Sequence, residues 1–219
     1  MNKFLTSVFA LAVASVTTIS AHAQEIKGDA KAAEQKIAMC IGCHGIKGYQ
    51  ASFPEVYRVP MISGQNAKYI VSALNAYKKG ERKHPTMRGI STSLTDQDMA
   101  DLGAYYEQHG KTEPVATTPK TPDAKVAALL QKGACISCHG DNFSKPIDPS
   151  YPKIAGQHKD FLYVALKSYK VENQATWGRN NGVMGGIAKQ YSNAELKAIA
   201  GYIGSLDGDM KVVPQSKFR

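Results

Sequence analysis

Every cysteine of the chain belongs to one of two copies of a single pentapeptide, Cys40-Ile41-Gly42-Cys43-His44 and Cys135-Ile136-Ser137-Cys138-His139. Two thiols at that spacing can add across the two vinyl groups of one porphyrin. The imidazole that follows them then reaches the iron from the same side. Cys-x-x-Cys-His is the attachment signature of a c-type haem. Two irons fixed in this way change valence in place, which is the chemistry of one-electron transfer. Half of a zinc site and a thioredoxin-like redox pair share the cysteine spacing. The two clusters lie 95 residues apart, in separate halves of the chain, which does not suit one tetrahedral zinc site. No strand pattern of the βαβ kind leads into either. Disulfides inside the motif would leave both histidines without a purpose, whereas thioether bonds use all four thiols and both imidazoles.

A haem iron has two axial positions, and His44 and His139 supply one each. Methionine in the other position raises the potential and closes the site; an open position admits substrate. Met87 and Met184 stand at equivalent places, 43 and 45 residues after their histidines and eight residues before Thr95 and Ser192. Both are expected on the loop that precedes the last helix of their half. Met39 and Met99 read as core, Met61 corresponds to Lys153 and so is not shared, and Met210 lies beyond the last helix. His22 falls in the leader, and His84, His109 and His158 have no histidine counterpart, so they read as surface or loop positions. Each proximal histidine needs an acceptor for its other ring nitrogen. The carbonyls of Pro60 and Pro152 are the candidates. Trp177 either shields a haem edge or lies on the surface.

The elements that must position these residues come in duplicate. Pro60-Met61-Ile62-Ser63-Gly64-Gln65 matches Pro152-Lys153-Ile154-Ala155-Gly156-Gln157. Tyr69, Ile70, Ala73, Leu74 and Tyr77 then match Phe161, Leu162, Ala165, Leu166 and Tyr169, the spacing of one face of an amphipathic helix. Met99, Leu102, Tyr105 and Tyr106 match Leu196, Ile199, Tyr202 and Ile203 on a terminal helix, opened in each half by a capping box at Thr95–Asp98 or Ser192–Glu195. A first helix, 30–39 or 123–132, leads into each cysteine motif. With no alternating strand pattern, the fold class is all-α. Half a chain of this size has little core of its own, and a buried porphyrin supplies much of the missing apolar area.

Lys3, the apolar run from Phe4 to Ile19 and Ala21-His22-Ala23 have the form of a signal peptide over residues 1–23, cleaved between Ala23 and Gln24. The proline- and threonine-rich stretch from Lys111 to Pro122 breaks the chain into 24–112, a linker at 113–122, and 123–219. The whole sequence carries a net charge of +9; removing Lys3 with the leader leaves 26 − 18 = +8. An exported chain without a basic-aromatic stripe is not expected to bind nucleic acid. The charge suits docking to acidic redox proteins, with loose association to a membrane surface as a further use.

With these motifs in place the chain resembles the dihaem cytochrome c4 family, most closely at FPEVYRVPMISGQ, TMRGISTSLTDQDMADLGAYY and VMGGIAKQYSNAELKAIAGYIGSL. The resemblance implies two class I cytochrome c domains in tandem, related by a pseudo-twofold axis, with one covalent haem c in each. Carried onto this chain, it implies haem attachment at Cys40, Cys43, Cys135 and Cys138, and iron ligation by His44, Met87, His139 and Met184. It further implies a periplasmic electron carrier, not an enzyme, moving single electrons from a quinol-oxidising complex toward a terminal oxidase. A similar branch is the dihaem electron-accepting subunit of flavocytochrome sulfide dehydrogenases, whose partner is a flavoprotein. A dihaem peroxidase would need an open iron, and both irons here have a closing methionine.

Overall fold

The computed structural model describes residues 26–111 and 120–214. The expected signal peptide and most of the expected linker lie outside them. Among the described residues the chain forms ten helices and four two-residue strands, so helices dominate as the sequence implies.

The first half runs α1 (Ala30–Ala33), α2 (Ala38–His44), β1 (Gln50–Ala51), β2 (Tyr57–Arg58), α3 (Ala67–Lys79), β3 (Arg82–Lys83), α4 (Pro85–Thr92) and α5 (Asp96–Gln108). The second runs α6 (Ala124–Lys132), α7 (Ile136–His139), α8 (Lys159–Ser168), β4 (Gly178–Arg179), α9 (Gly182–Ala188) and α10 (Asn193–Ser205). The expected helix over 30–39 is broken by turns at 34–37, and its partner over 123–132 is continuous, with Asp123 capping Val126. Both terminal helices carry complete capping boxes, which satisfy backbone N–H groups that the helix itself cannot.

Each half has its own core. In the first, α3 and α1 pack on α5 through Ala33, Ile70, Leu74, Met99 and Leu102; in the second, α8 and α6 pack on α10 through Val126, Leu129, Leu162, Leu196 and Ile199. Side chains of this size contribute about 1.5–3 kcal/mol each when fully removed from water. Met99 is fully buried as expected, but Met39 is not core: it is 42% exposed, because the helix it was assigned to breaks before reaching it.

The halves meet along a seam. β3 pairs antiparallel with β4, Arg82 opposite Arg179 and Lys83 opposite Gly178. Arg58 binds Asp160 and Lys167 binds Glu55 across the same line. The chain beyond α10 then crosses back to the first half, where Lys211 bridges Ser63 and Met210 is buried. The two repeated turns sit at this crossing. Gly64 and Gly156 have φ of +88° and +70°, and a Cβ on them would lie 2.6 Å from the carbonyl oxygen of Asp209 and 2.9 Å from that of Leu206. Only glycine accepts both the backbone angle and the close approach.

Candidate functional site

The two cysteine motifs lie on α2 and at α7, and all four thiols are unpaired and half-buried. Burial pushes the Cys40 thiol up to about 11 and raises that of Cys135 as well. A redox-active Cys-x-x-Cys pair has the opposite property, a lowered thiol. The hydroxyl of Tyr106 is buried beside Cys40.

His44 Nδ1 donates to the carbonyl oxygen of Pro60 at 2.7 Å, and His139 Nδ1 donates to that of Pro152 at 3.1 Å. The acceptors are the two carbonyls expected from the repeat. With Nδ1 committed as donor, the lone pair of each ring lies on Nε2, which is the arrangement of a metal-ligating imidazole. Burial lowers the pKa of both histidines, which favours the neutral ring.

The candidate methionines are not on loops. Met87 and Met184 occupy the first turns of α4 and α9, and each has its backbone N–H capped by the residue three before it. His84 Nδ1 accepts from Met87 N at 3.3 Å; Asn181 Oδ1 accepts from Met184 N at 2.9 Å. Met87 packs against the same apolar cluster as Cys40. Met184 is half-buried on a helix with three glycines in seven residues. His84 is a half-buried loop residue that caps α4, a role that Asn181 at the matching position could have signalled. His109 closes α5, where it bonds Ser63 Oγ at 2.9 Å and stacks on Tyr105. His158 stands at the N-terminus of α8.

Sequence reasoning also missed a pair of arginines. Arg82 lies over the rings of Tyr69 and Tyr77, with centroids at 5.2 and 5.8 Å, and Arg179 lies over Phe161 and Tyr169, at 5.6 and 5.4 Å. Tyr69 and Tyr77 correspond to Phe161 and Tyr169 in the repeat, so the two stacks are copies. Neither guanidinium meets a carboxylate among the described residues; their polar partners are the hydroxyls of Tyr69 and Tyr169. Burial would raise the Tyr169 phenol, but Arg179 and Arg82 outweigh it and hold its pKa below the ordinary value. Both arginines, with His84 and Trp177, line a cleft at the seam. Two adjacent cations without counter-charge fit a group that brings its own carboxylates, as the propionates of a haem do. Trp177 thus lies at the seam cleft.

A family model described as cytochrome c matches residues 30–109 and again 124–207. Cytochrome c4 of Pseudomonas aeruginosa is 30% identical over 213 residues, covering 94% of this chain and all of that protein. A thiosulfate dehydrogenase electron acceptor of Stutzerimonas stutzeri is 28% identical over 189 residues, 82% of this chain and 83% of that protein. The crystal structure of reduced recombinant cytochrome c4 from Pseudomonas stutzeri superposes with a TM-score of 0.60 at 26% identity, covering 82% of this chain and all of that one.

Proposed function

Since the chain belongs to the cytochrome c family, as a dihaem member with two tandem domains and two covalent haem c groups, we propose that it is a periplasmic shuttle for single electrons between respiratory partners. When bound, the haems supply one-electron exchange at their irons. The rest is the work of the chain's own residues.

In this proposal Cys40 and Cys43 hold the first haem and Cys135 and Cys138 the second. His44 and His139 ligate through Nε2, oriented by the carbonyls of Pro60 and Pro152. Met87 and Met184 would supply the sulfur ligands, each steadied at its backbone by the cap of its short helix. Arg82 and Arg179 take propionate carboxylates at the seam. The observation that carries the reading is the duplicated histidine-to-proline-carbonyl bond on each Cys-x-x-Cys-His motif, matched in each half by a capped methionine helix. A site closed on both sides keeps its coordination through a change of valence, which suits transfer without substrate binding.

The proposed route runs from a quinol-oxidising complex toward a terminal oxidase. A second reading, acceptance of electrons from a sulfur-compound dehydrogenase, is favoured by the relative named as a thiosulfate dehydrogenase electron acceptor; a flavoprotein sulfide dehydrogenase would be a donor of the same kind. No described helix is long and apolar enough to cross a membrane.

The test is spectroscopic. Oxidised protein should show the weak far-red sulfur-to-iron absorption at two methionines per molecule, and carbon monoxide should bind neither ferrous haem readily. Fast carbon monoxide binding to either haem would overturn the closed-site reading. Stopped-flow reduction by a quinol-oxidising complex and by a thiosulfate-oxidising enzyme then ranks the donors.

A further inference from the structure

The repeated Gly-Gln pair does something no local pattern reveals: each glutamine crosses to the other domain. Gln157 Oε1 accepts from Met61 N at 3.0 Å, and its Nε2 donates to Met61 O at 2.9 Å. Gln65 Oε1 accepts from Lys153 N at 2.9 Å, and its Nε2 donates to Lys153 O at 2.9 Å. Each side-chain amide thus pairs with a backbone residue of the opposite domain as a neighbouring strand would. Both Nε2 groups also point at the Met210 sulfur, from 3.2 and 3.7 Å. Gln65, Gln157 and Met210 are only 3%, 4% and 5% exposed.

The place where the glutamines land matters more than the bonding itself. Met61 and Lys153 are the residues immediately after Pro60 and Pro152. The peptide group joining Pro60 to Met61 accepts from His44 at its oxygen and donates to Gln157 at its nitrogen. The peptide joining Pro152 to Lys153 accepts from His139 and donates to Gln65. One peptide group therefore separates each proximal histidine from a glutamine of the other domain, and the arrangement is reciprocal. A peptide that donates strongly through N–H carries more negative charge on its oxygen, and hydrogen bonds in such chains strengthen one another. A stronger acceptor on Nδ1–H makes an imidazole a more electron-rich ligand.

We propose that Gln157 and Gln65 are positioning residues acting crosswise: Gln157, in the second domain, sets the hydrogen bond and basicity of His44 in the first, and Gln65 sets those of His139. The inference rests on the reading of both histidines as iron ligands. It makes each domain part of the other's proximal site, so that the two haem environments are tuned across the seam and not only within their own folds.

The experiment uses the reduced, diamagnetic holoprotein with ¹⁵N-labelled histidine. It follows the Nδ1–H resonances of His44 and His139 and the potential of each haem. In Gln157→Leu the His44 Nδ1–H resonance should move upfield, and the reduced-to-oxidised ratio of haem 1 at fixed poise should rise severalfold. His139 and haem 2 should stay as in the parent. Gln65→Leu should do the reverse. Gln157→Glu, which puts a stronger carboxylate acceptor at Met61 N, should move the His44 resonance downfield, and it serves if the leucine variant does not fold. Lys167→Gln breaks a seam ion pair without touching either glutamine or either peptide and should leave both resonances unmoved. A response confined to the mutated domain, equal in both domains, or absent overturns the proposal. The Nε2 nitrogen shifts of the parent protein report iron ligation independently, so failure of the ligand reading would be seen before any variant is made.

Discussion

The two methionine helices are too short to stand by themselves, and this makes their caps the sensitive point of the proposed sites. α4 has eight residues and α9 seven, well under the roughly 12 needed for an isolated helix to be even marginal. Replacing a capping side chain by alanine costs about 1 kcal/mol, within a range of roughly 0.5–2. For His84, whose ring nitrogen accepts at 3.3 Å, the lower half of that range applies, because N–H donors prefer acceptors near 2.9–3.0 Å. α4 has a second clamp as well: the buried Ser91 hydroxyl donates to Met87 O at 2.7 Å, where α9 has Ala188. α9 relies on Asn181 at 2.9 Å and carries Gly182, Gly185 and Gly186. Glycine inside a helix costs about 1 kcal/mol relative to alanine. Asn181→Ala should therefore cost more than His84→Ala. About 1 kcal/mol is roughly a factor of five in population, so His84→Ala should raise the fraction of protein with methionine detached from the first iron about fivefold or less. Added imidazole competes only for the detached state, so its apparent affinity rises by the same factor. Titration by imidazole, read as loss of the far-red absorption, should show that gain at one iron in His84→Ala, a larger gain at the other in Asn181→Ala, and none in His84→Asn. Unchanged imidazole affinity in Asn181→Ala, or a gain shared equally by both irons in either variant, would refute the argument.

Met87→Ala should open one iron and lower that haem's potential, with carbon monoxide binding to half of the haem and the other haem's titration unmoved. Arg179→Gln removes a cation from the seam cleft and should lower a haem potential in redox titration, since less positive charge favours the oxidised form. Gly64→Ala forces a Cβ to 2.6 Å from Asp209 O at a φ of +88°; it should cost about 2 kcal/mol or more and lower the midpoint of thermal unfolding. Burial alone would raise the Asp160 carboxyl, but its bonds to Arg58 and the Phe161 backbone outweigh this and hold it below the ordinary value of 3.8. Its contribution to stability is present above that value and is lost as pH falls through the lower folded one. Exposed pairs of this kind are worth about 1 kcal/mol or less, so Asp160→Asn should flatten the acid limb of a stability-against-pH curve by no more than that.

Cysteine spacing, the duplicated turns and the capping boxes were legible because each is a local pattern with a local cause. The proline carbonyls could be anticipated for the same reason: the turn that follows each Cys-x-x-Cys-His motif is repeated, and its prolines offer an acceptor with no competing donor. The sequence implies loops at α4 and α9 because seven or eight residues give no room for an apolar period, and three glycines in α9 argue against a helix. The capping role of His84 is not legible in the sequence, since histidine is a weak sign of a cap; only the asparagine three residues before Met184 carries the signal. A core position for Met39 follows only from a continuous first helix, and that helix breaks at 34–37. Gln65 and Gln157 were invisible as functional residues because their partners lie in the other half, and Arg82 and Arg179 because the strand pairing that sets them side by side joins the two halves. Their one trace in the sequence is identity between the copies. Gln65 and Gln157 agree while Met61 and Lys153, between which they cross, do not. That is the pattern expected when the bond goes to a backbone group and ignores the side chain.

The same geometry decides whether the seam is a hinge. Opening it would break four hydrogen bonds made by two glutamines that are almost fully buried. Each such bond contributes about 1 kcal/mol net, and a group left buried and unpaired costs 1–3 kcal/mol more. The Met210 side chain between them would lose its packing, about 2–5 kcal/mol for a buried methionine. Against these sums, the half-exposed pairs Arg58–Asp160 and Lys167–Glu55 matter little. The closing segment after α10 belongs to the second half by sequence but bonds Ser63 in the first, so the two halves cannot part without also displacing it. Rigidity follows from buried amides, the Met210 side chain and a returning segment, not from surface charge. A partner docking on either half therefore meets one body with both haem sites held in fixed relation, and raising the ionic strength should weaken such docking without loosening the pair.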